Sequence, residues 1–308
     1  MSASIDPSLL EIIASDLGVD PSFVEKDWYA MRIIAALITV DKLGIKLVFA
    51  GGTSLSKGFA LIKRFSEDLD FKVILPVSKH NRQQRSLYKE QILDVIRNSS
   101  LDWSLDEVKA RNNNRQFSCN ISYKRKFDQS IALRPYIKLD INFISPVLPV
   151  EEKTLISFIS QAMEQSPEVP LIACISPLET AAEKLSALTW RVLTRNRESE
   201  QDDPSLIRHL YDLTALNQTI EDYQDFSSLV SDFMQEDFKE NRGKIQSLAI
   251  PTVEFLPKML YELESDPIYN DEYQQFVTGM SYATEDECPT FEQCIKTIKS
   301  IITNFELA

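Results

Sequence analysis

Histidine is nearly missing from this chain, with two in 308 residues. A serine hydrolase needs a histidine base, and no G-x-S-x-G elbow accompanies either one, so that class is set aside. Cys119, Cys174, Cys288 and Cys294 stand far apart with no CxxC pair. Zinc sites and disulfide frameworks need closer or more regular spacing. No apolar run approaches the roughly 18 residues of a membrane-spanning helix. No basic region precedes the apolar residues that follow Met1, which argues against a secretory signal. The expectation is a cytoplasmic protein without a membrane partner. Glycine is scarce too, seven in all, and two of the seven are adjacent, Gly51 and Gly52.

Positive charge is short overall: 33 Lys and Arg face 46 Asp and Glu, a net charge of −13. Its distribution is uneven. From Glu221 onward 18 acids face 6 Lys or Arg, whereas residues 109–138 hold eight Lys or Arg, from Lys109 to Lys138, and one acid, Asp128. Screening limits charge effects to about 10 Å at ordinary salt. The stretch can therefore bind phosphate whatever the global sum, although a solvated strand-and-loop face would carry the same charges.

Enough apolar residue is present, 44%, for a sizeable core. Asp20-Pro21-Ser22 predicts a helix start, and Lys46 to Ala50 a short strand ending at the glycine pair. Thr53 is expected to cap a helix running to about Lys63, with a strand from Phe65 to Leu75 and a polar helix from Lys79 to Asn98. Residues 102–108, 116–123 and 134–143 read as antiparallel strands, with a turn at Asn112-Asn113-Asn114. Pro146 and Pro149 end the last strand, and a short helix is expected after them. From Pro177 onward the period is helical. The expected class is α+β, with an α/β domain over residues 1–170 and a helical domain over 171–308, divided within SPEVPLIACISP.

The stretch FAGGTSLSKGFALIKRFSEDLDF concentrates the chemistry. Asp68 and Asp70, two apart on a strand, point to one face about 6.5–7 Å apart, and Glu67 points to the other. Such a pair suits a hard divalent cation, Mg²⁺ or Mn²⁺. Gly51-Gly52 lies between a strand and a helix, where the backbone can approach a phosphate and Thr53 or Ser54 can donate to it. Asp140, between Leu139 and Ile141 in YIKLDINF, is a third carboxylate in the context expected of a two-metal site. The ordered set describes phosphoryl or nucleotidyl transfer.

GGTSLSK followed by RFSEDLDF resembles the AbiEii/AbiGii-type nucleotidyltransferase toxins, within the DNA polymerase β-like superfamily. The resemblance takes in FVEKDWYAMRIIAAL, KLDINF, PLETAAEKLSAL and RHLYDLTAL, and so covers roughly residues 20–216. The insert between the glycine pair and Asp-x-Asp is longer than in the wider superfamily. The resemblance implies a nucleotidyltransferase-like mixed or antiparallel sheet with flanking helices, followed by the helical half, and an active cleft between the halves. It implies that Gly51, Gly52, Thr53 and Ser54 hold NTP phosphates with help from Lys57. It implies that Asp68, Asp70 and Asp140 bind metal, that Lys184 clamps the triphosphate, and that Asp212 is a late essential carboxylate. On residues alone Lys184 would pair with Glu179 or Glu183, and Asp212 with Arg208 at i−4.

The function this implies is transfer of an NMP from an NTP to RNA, at a tRNA 3′ end, by a toxin with a cognate antitoxin. Transfer to protein or to a small molecule, or a non-catalytic binding module on the same fold, are the alternatives. Ser66, two residues before Asp68, is a candidate regulatory site, since a phosphate there would repel the triphosphate; a turn hydroxyl is the plainer reading. Glu67 reads as a solvated residue, and Glu25, Lys26 and Asp27 have no evident core role.

Overall fold

Proline, aspartate and serine punctuate the first helices. In the computed structural model, which describes residues 5–43, 45–75, 81–99, 101–128, 130, 132–240 and 255–306, helix α1 spans Pro7–Leu17 and α2 Pro21–Leu37. Each begins with proline behind an aspartate cap: Ser8 N donates to Asp6 Oδ1 at 3.0 Å and Ser22 N to Asp20 Oδ1 at 2.9 Å. Both devices satisfy amides that a helix start would otherwise leave orphaned.

Seven strands follow among the described residues: β1 Lys46–Ala50, β2 Asp68–Ile74, β3 Trp103–Arg111, β4 Gln116–Tyr123, β5 Ile137–Asn142, β6 Glu151–Leu155 and β7 Val169–Cys174. They form one mixed sheet in the order β3-β4-β5-β2-β1-β7-β6, with β2–β5 and β1–β7 parallel and the other pairs antiparallel. Helices α3 (Gly51–Lys57), α4 (Arg82–Arg97) and α5 (Phe158–Ala162) complete this part of the chain. The expected start of α4 at Lys79 lies outside the described residues. Asn112, Asn113 and Asn114 all take positive φ, 50°, 55° and 60°, in the β3–β4 turn. Asparagine tolerates that region better than most residues.

Alternation gives the sheet two different faces. Leu69, Phe71 and Val73 of β2, Ile137, Leu139 and Ile141 of β5, and Phe117, Cys119 and Ile121 of β4 are buried in one core with residues of α1, α2 and α4. The intervening residues, among them Asp68, Asp70, Lys138 and Asp140, project from the opposite face.

Two expectations about elements need correction. Helix α3 begins at Gly51 and ends at Lys57, so Thr53 lies inside it rather than capping it, and Ala60 at φ 54° takes the chain away well before Lys63. Strands β6 and β7 were not expected. The SPEVPLIACISP segment carries β7, whose Ala173 and Cys174 pair with Val48 and Phe49 of β1.

The chain divides into two compact units, Met1–Ser176 and Pro177–Ala308. The second is helical: α6 Pro177–Leu193, α7 Arg208–Ala215, α8 Asn217–Glu221, α9 Phe226–Glu240, α10 Phe255–Ser265, α11 Ile268–Met280 and α12 Phe291–Glu306. Arg195, 5% exposed, binds both oxygens of Asp202 at 2.8 Å and reaches Glu272 of α11 at 2.7 Å, so the segment after α6 is tied down by charge within this unit.

Candidate active site

The register of the polar sheet face decides what can meet there. Strand β5 runs parallel to β2 with Asp68 opposite Lys138 and Asp70 opposite Asp140. Neighbouring strands lie about 4.8 Å apart, and partners in register point the same way. Asp68, Asp70 and Asp140 therefore share one face, as the sequence predicts. Asp68 and Asp140 have cationic partners from the chain. Arg134 Nη2 donates to Asp68 Oδ1 at 2.8 Å, and Lys138 Nζ sits 2.6 Å from Asp140 Oδ2. Burial works against the Lys138 ammonium. Asp140, by charge and hydrogen bond, together with Asp68 and Asp70, outweighs that cost and holds its pKa above the usual lysine value.

The glycine pair is fitted to these carboxylates. Ala50 is opposite Asp70 on β1, so the chain turns into α3 beside that residue. Gly51 has φ 72°, and a Cβ on it would fall 2.1 Å from Asp70 Oδ2. Only glycine meets both demands. A Cβ on Gly52 would stand 2.8 Å from Arg64 Nη2 and 2.9 Å from Ser66 Oγ. Arg64 is 2% exposed and donates to Phe65 O at 2.8 Å. A guanidinium and the Ser66 hydroxyl thus press on the second glycine, and Arg64 carries no motif signal beyond its basic charge.

The hydroxyls after the pair are engaged differently from expectation. Thr53 Oγ1 donates to Asp68 O at 2.6 Å, tying α3 to the first residue of β2. Its proton is therefore already committed to the backbone. Ser54 is 1% exposed, and its Oγ finds no hydrogen-bond partner among the described residues, although the buried Cys174 thiol lies beside it. Lys57 is drawn into a buried pair with Asp27 at 2.6 Å and over the ring of Phe158 at 3.4 Å.

That pair is one of three anchors supplied by consecutive residues of α2. Glu25 Oε1 accepts from Lys126 N at 2.7 Å and fixes the loop after β4. Lys26 Nζ binds Glu67 Oε2 and donates to Arg134 O at 2.8 Å. Asp27 Oδ2 accepts from Phe158 N at 2.8 Å while its other oxygen holds Lys57. Burial pushes the Glu25 and Asp27 carboxyls up and the Lys26 ammonium down, each partly opposed by the partner just named. Charged residues so placed cost desolvation and persist only when paired. The EKD run thus positions the loops around the sheet face.

Glu67 is accordingly not solvated. Its side chain is 10% exposed and accepts from Lys26 and from Arg134 N at 2.6 Å. It orients Arg134, whose guanidinium then reaches Asp68. Of the three acids in SEDLDF, Glu67 serves the scaffold while Asp68 and Asp70 face outward from it.

In the helical unit, Lys184 and Asp212 find each other. Lys184 Nζ lies 2.7 Å from Asp212 Oδ2, with side chains 9% and 0% exposed. Helices α6 and α7 bring the two motifs together, which sequence spacing alone did not indicate.

Asp68, Asp70 and Asp140 offer the hard oxygen donors that Mg²⁺ or Mn²⁺ takes, and strand register puts them side by side. In donor type and placement they fit such an ion. Among the described residues, no three of Asp, Glu, His and Cys yet converge closely enough to hold one. Arg134 engages Asp68, and Lys138 engages Asp140.

No curated protein matches the chain. The structure is similar to MenT4, a nucleotidyltransferase toxin from Mycobacterium tuberculosis H37Rv, with a TM-score of 0.52 over 97% of this chain and 99% of that one. The two are 16% identical, so the likeness speaks to the fold. A family model described as "Nucleotidyl transferase AbiEii toxin, Type IV TA system" matches residues 32–297. With the strand–glycine pair–helix–Asp-x-Asp order and the in-register carboxylates, that match makes the chain a member of the AbiEii nucleotidyltransferase toxin family of type IV toxin–antitoxin systems.

Proposed function

We propose that the protein transfers an NMP from an NTP to a hydroxyl of RNA, at a tRNA 3′ end, in the presence of Mg²⁺ or Mn²⁺. The observation that carries this reading is the register of Asp68, Asp70 and Asp140 on one face beside the Gly51 turn. The acceptor oxygen bonds to the α-phosphorus as the bond from that phosphorus to the α–β bridging oxygen breaks. Pyrophosphate leaves with the electron pair, and the proton of the hydroxyl passes to solvent. A bound divalent cation supplies Lewis-acid polarisation and charge neutralisation. Asp68 and Asp70 hold it, with Asp140 as the third ligand. The Gly51-Gly52 backbone and Ser54 are assigned to the phosphates. Thr53 and Lys57, engaged with Asp68 O and Asp27, serve by shaping the α3 turn. Lys184 is assigned to the triphosphate, with Asp212 orienting it.

An RNA acceptor gives the basic stretch a role. Lys124, Arg125 and Lys126 are exposed and consecutive on the loop whose backbone Glu25 anchors. Fixed cations of this kind contact phosphates with a salt-dependent affinity.

Each of the four α-³²P-labelled NTPs, incubated with the protein, Mg²⁺, total RNA and a protein extract, tests the reading. Label in the tRNA fraction is expected with at least one nucleotide. Label confined to protein or small molecules would select the alternative acceptors, and no transfer with any nucleotide would sink the proposal.

A cognate antitoxin is the partner that a type IV toxin requires. We also propose Ser66 as a point of control. Its hydroxyl faces Gly52 and it precedes Asp68 by two residues, so a phosphate there would bring negative charge to the triphosphate's approach. Mass spectrometry of protein inhibited by its antitoxin is expected to find phosphoserine at Ser66; an intact serine in fully inhibited protein would discard the idea.

A further inference from the structure

The face that is to receive a divalent cation already carries one fixed cation per engaged carboxylate. Lys138 and Asp140 are two apart on β5 and so point the same way, and the lysine side chain lies along the strand to bring Nζ within 2.6 Å of Asp140 Oδ2. Its neighbour across the strands is Asp68. Both members of the pair are about one-third exposed, 35% and 29%, so neither is locked in the core. Strand alternation itself does not demand a lysine here, since the neighbouring position on the same face, Asn142, is neutral and equally half-buried.

We infer that Lys138 is a resident counter-ion that competes with the divalent cation for Asp140 and thereby sets the affinity of the carboxylate face for metal. The inference rests on the reading of that face as a metal site. A positive charge 2.6 Å from one ligand opposes an incoming dication in two ways. It occupies the carboxylate oxygen, and it repels the ion. A one-third-exposed ion pair is still screened by solvent, so an ion with several oxygen ligands can displace it. Arg134 plays the corresponding part at Asp68, where Glu67 also holds its backbone amide and its guanidinium. Lys138 is thus a positioning residue, acting through Asp140.

Mn²⁺ titration of the full chain, with free ion read by electron paramagnetic resonance at fixed ionic strength and without nucleotide, tests this. Lys138→Met is expected to bind Mn²⁺ about three- to fivefold more tightly than wild type, the upper part of the range a surface ion pair supports. Lys138→Gln should do the same, and Lys138→Arg should stay near wild type. Introducing Asp140→Asn first should shrink the gain from Lys138→Met to less than about twofold on the same reasoning. Equal or weaker binding by both Lys138→Met and Lys138→Gln overturns the inference, as does a gain that survives without Asp140. Asp68→Ala separates the two levels. Mn²⁺ binding indifferent to Asp68→Ala would overturn the metal-site reading and this inference together. Binding that needs Asp68 but ignores Lys138 would overturn this inference alone.

Discussion

Asp70→Ala or Asp68→Ala is expected to reduce NMP transfer by about a thousandfold or more, and Gly51→Ala by at least about a hundredfold. The carboxylate changes remove ligands from a site asked for several kcal/mol of charge stabilisation, and each 1.36 kcal/mol is tenfold in rate. Both residues are half-buried on the outward face of β2, so their removal leaves the core packing of Leu69, Phe71 and Val73 untouched. The Gly51 case is more discriminating. Alanine at φ 72° costs about 1–2 kcal/mol from backbone strain, which a folded domain can absorb. Its Cβ, however, would fall on Asp70 Oδ2, Cγ and Cβ at 2.1, 2.9 and 3.1 Å. Either the Asp70 side chain rotates away or the turn into α3 opens, and both move a proposed metal ligand relative to the phosphate backbone. A modest fall in thermal stability with a large fall in labelled transfer is therefore the expected pairing. Gly51→Ala with near-wild-type transfer would show that Asp70 need not stand where the structure puts it.

The polar face was readable in the sequence because period-2 alternation survives in DLDF and KLDIN, where Asp70 and Asp140 each stand between buried apolar residues and Asp68 precedes one. Strand pairing was not readable: that Asp140 lies opposite Asp70 rather than Asp68 depends on a parallel register set between distant segments. Helix α3 was misjudged for a related reason. Thr53 has the chemistry of a cap, but its hydroxyl is taken by Asp68 O, a contact fifteen residues away. Strand β7 hid behind Pro170 and its short length. Pro170 and Leu171 are exposed and separate the buried Val169 from the buried run of Ile172 to Cys174. The EKD run shows the other limit. Three charged residues in a row showed no core role in the sequence, yet each is buried because the chain at residues 67, 126 and 158 closes over them. Tertiary closure of that kind leaves no periodic trace.

Lys184→Met is expected to destabilise the helical unit by about 3–5 kcal/mol, the range for removing one partner of a buried ion pair. Asp212 is fully buried, so the substitution would leave a carboxylate without its 2.7 Å ammonium in a water-poor setting. Hydrogen exchange at α6 and α7 is the measurement, because the loss should appear there first. The double variant Lys184→Met/Asp212→Leu separates structure from function. Replacing a buried pair with apolar residues of similar volume is often neutral or stabilising, so the double variant should recover most of the lost protection. NMP transfer should stay abolished, because the ammonium assigned to the triphosphate is gone whether or not the helices pack well. Recovery of both protection and transfer would make the pair a scaffold contact and remove Lys184 from the reaction. Recovery of protection alone would assign it to the chemistry, with Asp212 as the residue that holds its ammonium in place.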